Sequence, residues 1–466
     1  MNGVIVVGAG PAGIFAARQF ALAGYEVFLF NRDIKPGGLA EYGIYPIKDK
    51  MKFGLRKQFA MVLALPNVHY FGNVQVGRDY DLDLDALQAF RPAVTVFSCG
   101  AQGTRRLGLP GEDSKGVYAA KDFVYQYNRL PPYASMDFST GKRVAVIGMG
   151  NVAIDIARWL LEDDPSRTTE QVLIVARRGP VEIKFDEKEI GYVDRHISRE
   201  EFAAELDRVR ERCARCNQDV SPQTIFAGHF KHLLDEDFTT IDPRLSFRFL
   251  CSPTAILQDT NGRIAALEVA ENDLVLKPDG STSAVATVAR ARLDVDTLIF
   301  AIGDEHDKGI GLPMGPSGYA TEPGPADSGK PQYAVWDSVT QSVVPGIYVV
   351  GWARLASTGL VGVARHDGEV GAAQALEYLK SAPEAGTLSE PEILATLRVR
   401  GLNPVTKSDL ALLAKREQRE AEERGLTSFK FADNDAMYAA IAEERATSGV
   451  QAGEGKSEAS EALRTK

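Results

Sequence analysis

At 466 residues the chain is too long for one ordinary hydrophobic core, and two or three domains are expected. Its 44% hydrophobic and 25% charged residues are globular values, and the net charge of −10 argues against general nucleic-acid binding. No run of about 18 apolar residues could span a membrane, no basic n-region or cleavage site opens the chain, and four cysteines suit a reducing cytosol.

Taken in order, residues 2–32 read as a buried strand from Val4 to Val7, a Gly8-x-Gly10-x-x-Gly13 turn enclosing Pro11 and Ala12, a helix, and a second strand from Glu26 to Phe30. Gly8 permits the tight turn, Gly10 lets backbone approach a pyrophosphate, and Gly13 lets the helix lie close to the strand. The pyrophosphate would rest on the helix N-terminus, where free N–H groups and the dipole favour an anion. Asn31 stands where an Asp or Glu usually accepts ribose hydroxyls, and Arg32 follows it. The next stretch, KPGGLAEYGIYP from Lys35 to Pro46, is rich in glycine and aromatics and reads as a loop against a ligand, with Gly38 and Leu39 at its centre. A helix is expected near 49–65 and a strand near 68–72, with Val74 just beyond it. The apolar run AVTVFSC at 93–99 fits a buried parallel strand ended by Gly100. The turn-rich LGLPGE at 107–112 looks like a crossing between domains.

The opening pattern then repeats. A strand at 142–147 runs into Gly148-Met149-Gly150-Asn151-Val152-Ala153, a helix to about Leu161 and a strand at 171–175. Such an internal repeat is more specific than either copy alone. In its helix Asp155 and Arg158 read as an i,i+3 pair. A charged helix from Arg195 to Asn217 ends in Cys213 and Cys216. This CxxC lacks the activating helix N-terminus or further ligands that redox or metal chemistry needs, so two cysteines on one helix face, and no metal, are expected. Strands at 245–250, 264–271 and 295–301 close the second domain, and the Gly- and Pro-rich 303–330 reads as a loop. A strand at 346–351 leads through Gly351, Trp352 and Gly359-Leu360-Val361 to a helix from about Arg365 to Leu379. From 381 helix and loop alternate, and the polar tail from Thr447 is expected to be disordered. The fold expected is α/β with two Rossmann-like dinucleotide-binding domains. The first spans 1–106 and 331–380, the second is inserted at 107–330, a C-terminal helical extension covers 381–446, and 447–466 is the tail.

Charge says which nucleotide goes where. Arg177 and Arg178 at the tip of the 171–175 strand sit where a 2′-phosphate on the adenosine ribose would lie, and guanidinium forks match phosphate, so NADPH fits better than NADH. The first unit has only Arg32 beyond Asn31, which makes FAD its guest, with the asparagine able to keep one hydrogen bond to the ribose. FAD beside NADPH implies hydride transfer from the nicotinamide C4 to the flavin N5. That chemistry needs stacked rings rather than a protein nucleophile, so the lack of a Ser-His-Asp or metal cluster is expected. Gly359 and its neighbours at a helix N-terminus would supply N–H groups to the electron-rich end of a reduced flavin. No C-x4-C pair follows the first glycine turn, which speaks against a disulfide reductase, and no cluster-binding cysteine set precedes it.

Gly8-Ala-Gly-Pro-Ala-Gly13, Phe71-Gly-Asn-Val74, Gly148-Met-Gly-Asn-Val-Ala-Ile-Asp-Ile-Ala-Arg158, Arg177-Arg-Gly-Pro180, Phe247-Arg-Phe-Leu-Cys-Ser-Pro253, and Gly351-Trp352 with Thr358-Gly359 spread over most of the chain. Together they resemble the adrenodoxin reductase-type ferredoxin–NADP reductases. Glutathione reductase-like flavoproteins normally have Gly-Asp where this chain has Gly351-Trp352. The stretch from Asn403 to Ile441 looks like the extension of longer bacterial members.

The resemblance implies FAD contacts at Ala12, Leu39, Val74, Trp352 and Gly359 to Val361. It implies NADP contacts at Met149 to Val152, Arg177, Arg178, Glu189 and Gly359, with Glu189 near the nicotinamide. From the residues alone Glu189 is an exposed acid of the run Asp186-Glu-Lys-Glu189. Two positions depart from the family pattern. Asn31 replaces a ribose-binding glutamate, and Tyr45-Pro46-Ile47-Lys48 stands where Ala-Pro-Asp-His is common. Lys48 cannot act as a near-neutral proton relay, but it would stabilise an anionic flavin. The activity implied is NADPH-dependent electron transfer through FAD to a small ferredoxin-type iron–sulfur protein. Lys184, Lys188, Arg195 and Arg199 are candidate docking charges for such an acidic partner. Two alternatives are an electron-input subunit like the glutamate synthase small subunit, whose N-terminal cysteine cluster is missing here, and a non-catalytic NADP sensor.

Overall fold

The structure is a computed structural model that describes residues 3–316, 318–324, 331–356, 359–382, 386 and 388–447. Thr358 and the tail beyond Thr447 lie outside the described residues. The described residues fall into two compact units. One draws on Met1–Gly103, Tyr125–Ser135 and Gly303–Lys466, the other on Thr104–Val124 and Met136–Ile302. The passage after Gly303, expected in the inserted domain, belongs to the first unit.

The first unit is built on a six-stranded sheet. Its early elements are β1 (Gly3–Val7), α1 (Pro11–Leu22), β2 (Glu26–Asn31), α2 (Leu39–Tyr42), α3 (Asp49–Leu63), β3 (Val68–Gly72) and, after a short helix at Leu84–Ala89, β4 (Val94–Phe97). The strand order is Ala334–Asp337, Ser342–Val349, β4, β1, β2, β3, parallel except at the Ala334–Asp337 edge. Both faces are covered, which is why β1 reads as an unbroken apolar run. Val4 and Val6 join one core with Ile14, Phe15 and Phe20 of α1 and with Ala372 and Ala375 of a long helix, Val361–Leu379. Ile5 and Val7 join the opposite core with Phe30, Phe97, Ile393 and Leu397.

The second unit repeats this plan. Its five-stranded parallel sheet runs Val117–Ala119, Thr297–Phe300, Arg143–Ile147, Gln171–Val175, Leu245–Arg248. In each sheet the strand before the glycine turn sits where the order reverses, the place at which open α/β sheets bind ligands. A three-stranded antiparallel sheet of Cys251–Gln258, Ile264–Leu276 and Thr282–Leu293 completes the unit.

Several elements differ from expectation. The strands at Cys251–Gln258, Thr282–Leu293 and Ala334–Asp337 were not expected, and Ile264–Leu276 runs past 271. Thr282–Leu293 is largely exposed and therefore carries no apolar alternation. The 303–330 passage holds short strands at Asp304–Glu305, Met314–Gly315 and Gly318–Tyr319. The long helix begins at Val361 rather than Arg365, and the charged helix at Arg199 rather than Arg195. The Arg158 guanidinium lies 4.0 Å from the centre of the Tyr192 ring, with Glu162 at 3.8 Å.

Candidate dinucleotide sites

The first glycine turn is shaped by backbone sterics. Gly8 has φ +103°, and a Cβ there would lie 2.6 Å from the Ser98 carbonyl oxygen. Its N–H donates to the Phe30 carbonyl at 2.7 Å, so the turn is fixed to the end of β2. A Cβ on Gly13 would come within 2.0 Å of the Gly8 carbonyl oxygen, so only glycine lets α1 approach this closely. At Gly10, by contrast, a Cβ would meet nothing within 4 Å. Gly10 is the N-cap of α1, no side chain caps it, and Pro11 begins the helix. An open concavity over unsatisfied amides at a helix N-terminus is the geometry that takes a phosphate group.

Asn31 is bonded to backbone on both sides of its amide. Its Oδ1 accepts the Ala9 amide at 2.9 Å, and its Nδ2 donates to the carbonyls of Asp33 at 2.8 Å and Lys35 at 3.0 Å. The residue is buried, and its side chain ties the glycine turn to the loop after β2. Arg32 donates from Nε to Asp33 Oδ1 at 2.8 Å and from Nη1 to Gln102 Oε1 at 2.9 Å, spanning from β2 to the loop after Gly100. Gly38 packs against Gly10, where a Cβ would lie 3.4 Å from the Gly10 Cα, and Leu39 opens α2. The Val74 amide donates to the Asn31 carbonyl at 2.9 Å. Lys48, half-buried, is the N-cap of α3.

The return passage is held by a residue not singled out in the sequence. Asp367, in the long helix, accepts the Gly351 amide at 2.5 Å and the Tyr333 hydroxyl at 3.1 Å. It is also paired with Arg354, whose guanidinium lies 4.5 Å from the centre of the Tyr333 ring. Gly351 has φ +64° and its Cα faces Ala12, where a Cβ would meet the Ala12 Cβ at 2.5 Å. Thus Gly351 is pressed onto the start of α1. Leu360 is the N-cap of the long helix without a side-chain cap, and Gly359 and Val361 flank it.

In the second unit Gly148 has φ +128°, its amide donates to the Val175 carbonyl at 2.9 Å, and Gly150 again faces open space. Asn151 and Asp186 are joined twice, Nδ2 to Oδ2 at 2.8 Å and the Asp186 amide to Oδ1 at 2.7 Å. The Met149 carbonyl accepts the Lys184 amide at 3.1 Å, and Val152 is exposed. Arg177 is exposed and Arg178 half-buried, and among the described residues neither guanidinium has an ion-pair partner. Cys213 and Cys216 are buried free thiols, the second just past the helix end. Cys213 packs beneath Gly179 at the arginine turn, and burial pushes its thiol up to about 12. Glu189 lies half-buried in the four-residue helix Glu187–Ile190. Arg195 is paired with Glu162 at 2.7 Å, and Arg199 donates to the Asp235 carbonyl and covers the Phe238 ring. Lys184 and Lys188 are exposed.

Residues 2–221 match the family model described as pyridine nucleotide-disulphide oxidoreductase. The chain is 31% identical over 400 residues to NADPH-ferredoxin reductase FprA of Mycobacterium leprae, covering 78% of this chain and 81% of the relative. It is 30% identical to the mitochondrial NADPH:adrenodoxin oxidoreductase of Salvelinus fontinalis, covering 92% and 89%. The chain belongs to the NADPH-ferredoxin and NADPH:adrenodoxin reductase family. Mycobacterium tuberculosis FprA in complex with NADPH superposes with a TM-score of 0.76 at 26% identity, covering 95% of this chain and 99% of that one. The fold is therefore the family's two-domain Rossmann-like fold.

Proposed function

We propose that this chain is an NADPH-dependent FAD flavoenzyme, a ferredoxin–NADP reductase that delivers electrons singly to a ferredoxin-type iron–sulfur protein. The observation that carries the reading is two glycine-turn sites of which only the second ends its following strand in two arginines that have no ion-pair partner among the described residues. Family membership supports it, and the comparisons do not favour a complex subunit or an NADP sensor. FAD fits the first unit. Gly10 leaves room for its pyrophosphate over the α1 amides, with Gly38, Leu39, Val74 and Gly100 around the loop ends and Trp352 and the 359–361 amides at the ring end. NADPH fits the second, with pyrophosphate over Gly150, 2′-phosphate between Arg177 and Arg178, and Glu189 toward the nicotinamide.

When bound, FAD supplies a carrier that takes two electrons as hydride and releases them one at a time. The protein's share is alignment and electrostatics. The uncapped amides at Val361 favour negative charge, and Lys48 adds a cation on the same unit. Lys184 and Lys188 are the docking charges left for an acidic partner, since Arg195 and Arg199 are engaged within their own unit. The four free cysteines suit the cytosol. Charge reversal at Lys184 and Lys188 should raise KM for ferredoxin while leaving NADPH oxidation by a small dye unchanged. Unaltered ferredoxin KM would remove that patch from the reading.

A further inference from the structure

With Asn31 committed to backbone, the ribose of the first unit's nucleotide needs another carboxylate. One stands two residues on. Asp33 lines a cavity of about 270 Å³ at the ends of β2 and β3, together with Asn73, Gln75, Tyr42 and Tyr133. Its volume is just under the range of about 300–1,000 Å³ for whole-ligand pockets, so it suits part of a dinucleotide rather than all of it. Its lining mixes aromatic rings with amide side chains and one carboxylate, the mixture that recognises a nucleoside.

The far wall comes from the C-terminal segment through Asn434 and Met437. That segment is fastened to the same loop. Val405 and Gly72 exchange backbone hydrogen bonds at 2.8 and 2.9 Å, the Asn73 amide donates to the Tyr438 hydroxyl at 2.9 Å, and Glu417 is paired with Lys35. Ile34, between Asp33 and Lys35, is buried in one cluster with Leu413, Met437 and Ile441.

We infer that this cavity holds the adenosine half of the FAD, with Asp33 accepting the ribose hydroxyls and the C-terminal segment forming the wall of the pocket. A carboxylate offers about four lone-pair sites. Arg32 takes one on each oxygen, at 2.8 and 3.2 Å, which leaves acceptors for two hydroxyls and fixes the orientation of the carboxylate. Asn31 contributes indirectly, because its Nδ2 bond to the Asp33 carbonyl fixes the backbone that carries the carboxylate.

The inference rests on the FAD reading, and the test separates the two. The full-length chain, stripped of flavin, is titrated with FAD beside two variants: Asp33→Asn, and Asn434→Trp, which fills the cavity from a half-exposed position. Flavin-free melting temperature checks that each variant folds, and Asn434→Leu replaces the tryptophan variant if that one does not. The FAD Kd is expected to rise about tenfold or more in both, the cost of a lost charged hydrogen bond or a filled pocket. A Kd within about twofold of wild type in either folded variant overturns the inference. A wild-type chain that binds no FAD contradicts the reading beneath it instead.

Discussion

Asn31 Oδ1 lies 2.9 Å from the Ala9 amide nitrogen, so a side chain expected at the ribose is bonded into the glycine turn. Its three hydrogen bonds make it a brace between the turn and the loop after β2. Asn31→Glu can keep the Ala9 bond but has no donor for the Asp33 and Lys35 carbonyls. The glutamate variant is therefore expected to lose about 1–3 kcal/mol of stability and to bind FAD no more tightly than wild type. Thermal unfolding and flavin titration check both; a tighter FAD Kd would return Asn31 to the ribose.

The Asp367 carboxylate gathers the Gly351 amide, Tyr333 and Arg354 where both charged side chains are only 12% exposed. Removing it strands Arg354 and frees the Gly351–Trp352 turn. Asp367→Ala should destabilise the first unit by about 3–5 kcal/mol and speed flavin loss, whereas Asp367→Asn should restore part of the clamp through its one carbonyl oxygen. Equal flavin retention in all three proteins would show that the turn stands unaided.

Arg177 and Arg178 should set cofactor preference. Replacing either with alanine is expected to raise KM for NADPH about tenfold to a hundredfold, the range for a lost charged hydrogen bond, and to leave KM for NADH within about twofold. Parallel steady-state titrations decide, and an equal loss for both nucleotides would contradict the 2′-phosphate assignment.

Glu41 and Lys52 give the first unit a pH signature. Burial works to raise the Glu41 pKa, but Arg56, bonded at 2.7 Å through two nitrogens, with Lys35 and Lys430, holds it well below the usual carboxylate range. Its contribution is full above about 4.5, the ordinary value, and is lost as pH falls below that. Burial, then Lys430 and Arg56 against Glu41 and Asp49, brings Lys52 down to about 7, with Asn128 Oδ1 2.9 Å from its amine. Between about 7 and 10.5 the unfolded chain therefore holds a proton that the folded one lacks, and stability from this group rises with pH. Lys52→Met should flatten that rise in a pH series of thermal unfolding, and an unchanged slope would place the titration elsewhere.

Much of this was legible because certain residues have no substitute. Gly8 and Gly148 need positive φ and Gly13 a close approach, so the turns declare themselves in sequence. β1 and the Arg143–Ile147 strand are covered on both faces and read as apolar runs. The start of the long helix was hidden by Gly362, which lowers helix propensity, while Gly368 lies within the expected helix. Gly368 is there because a Cβ would lie 2.2 Å from the Ala12 carbonyl oxygen, a demand of packing that no local pattern reveals. Asp367 reads in sequence as an ordinary helical acid, and its role appears only when the helix lies beside Gly351. Asp33 was overshadowed by its neighbour: the motif points to the last residue of β2, but which carboxylate reaches a ribose depends on how the following loop folds back.

The central claim is that electrons pass from NADPH through a bound flavin to an iron–sulfur protein. The most direct measurement is anaerobic mixing of the purified, flavin-loaded chain with NADPH and a ferredoxin-type protein, following flavin and iron–sulfur absorbance together. The account predicts flavin bleaching by NADPH, slower bleaching by NADH, and reduction of the iron–sulfur protein only when the flavoprotein is present. A purified chain without flavin, or one bleached by NADPH that leaves every ferredoxin-type acceptor oxidised, would contradict it.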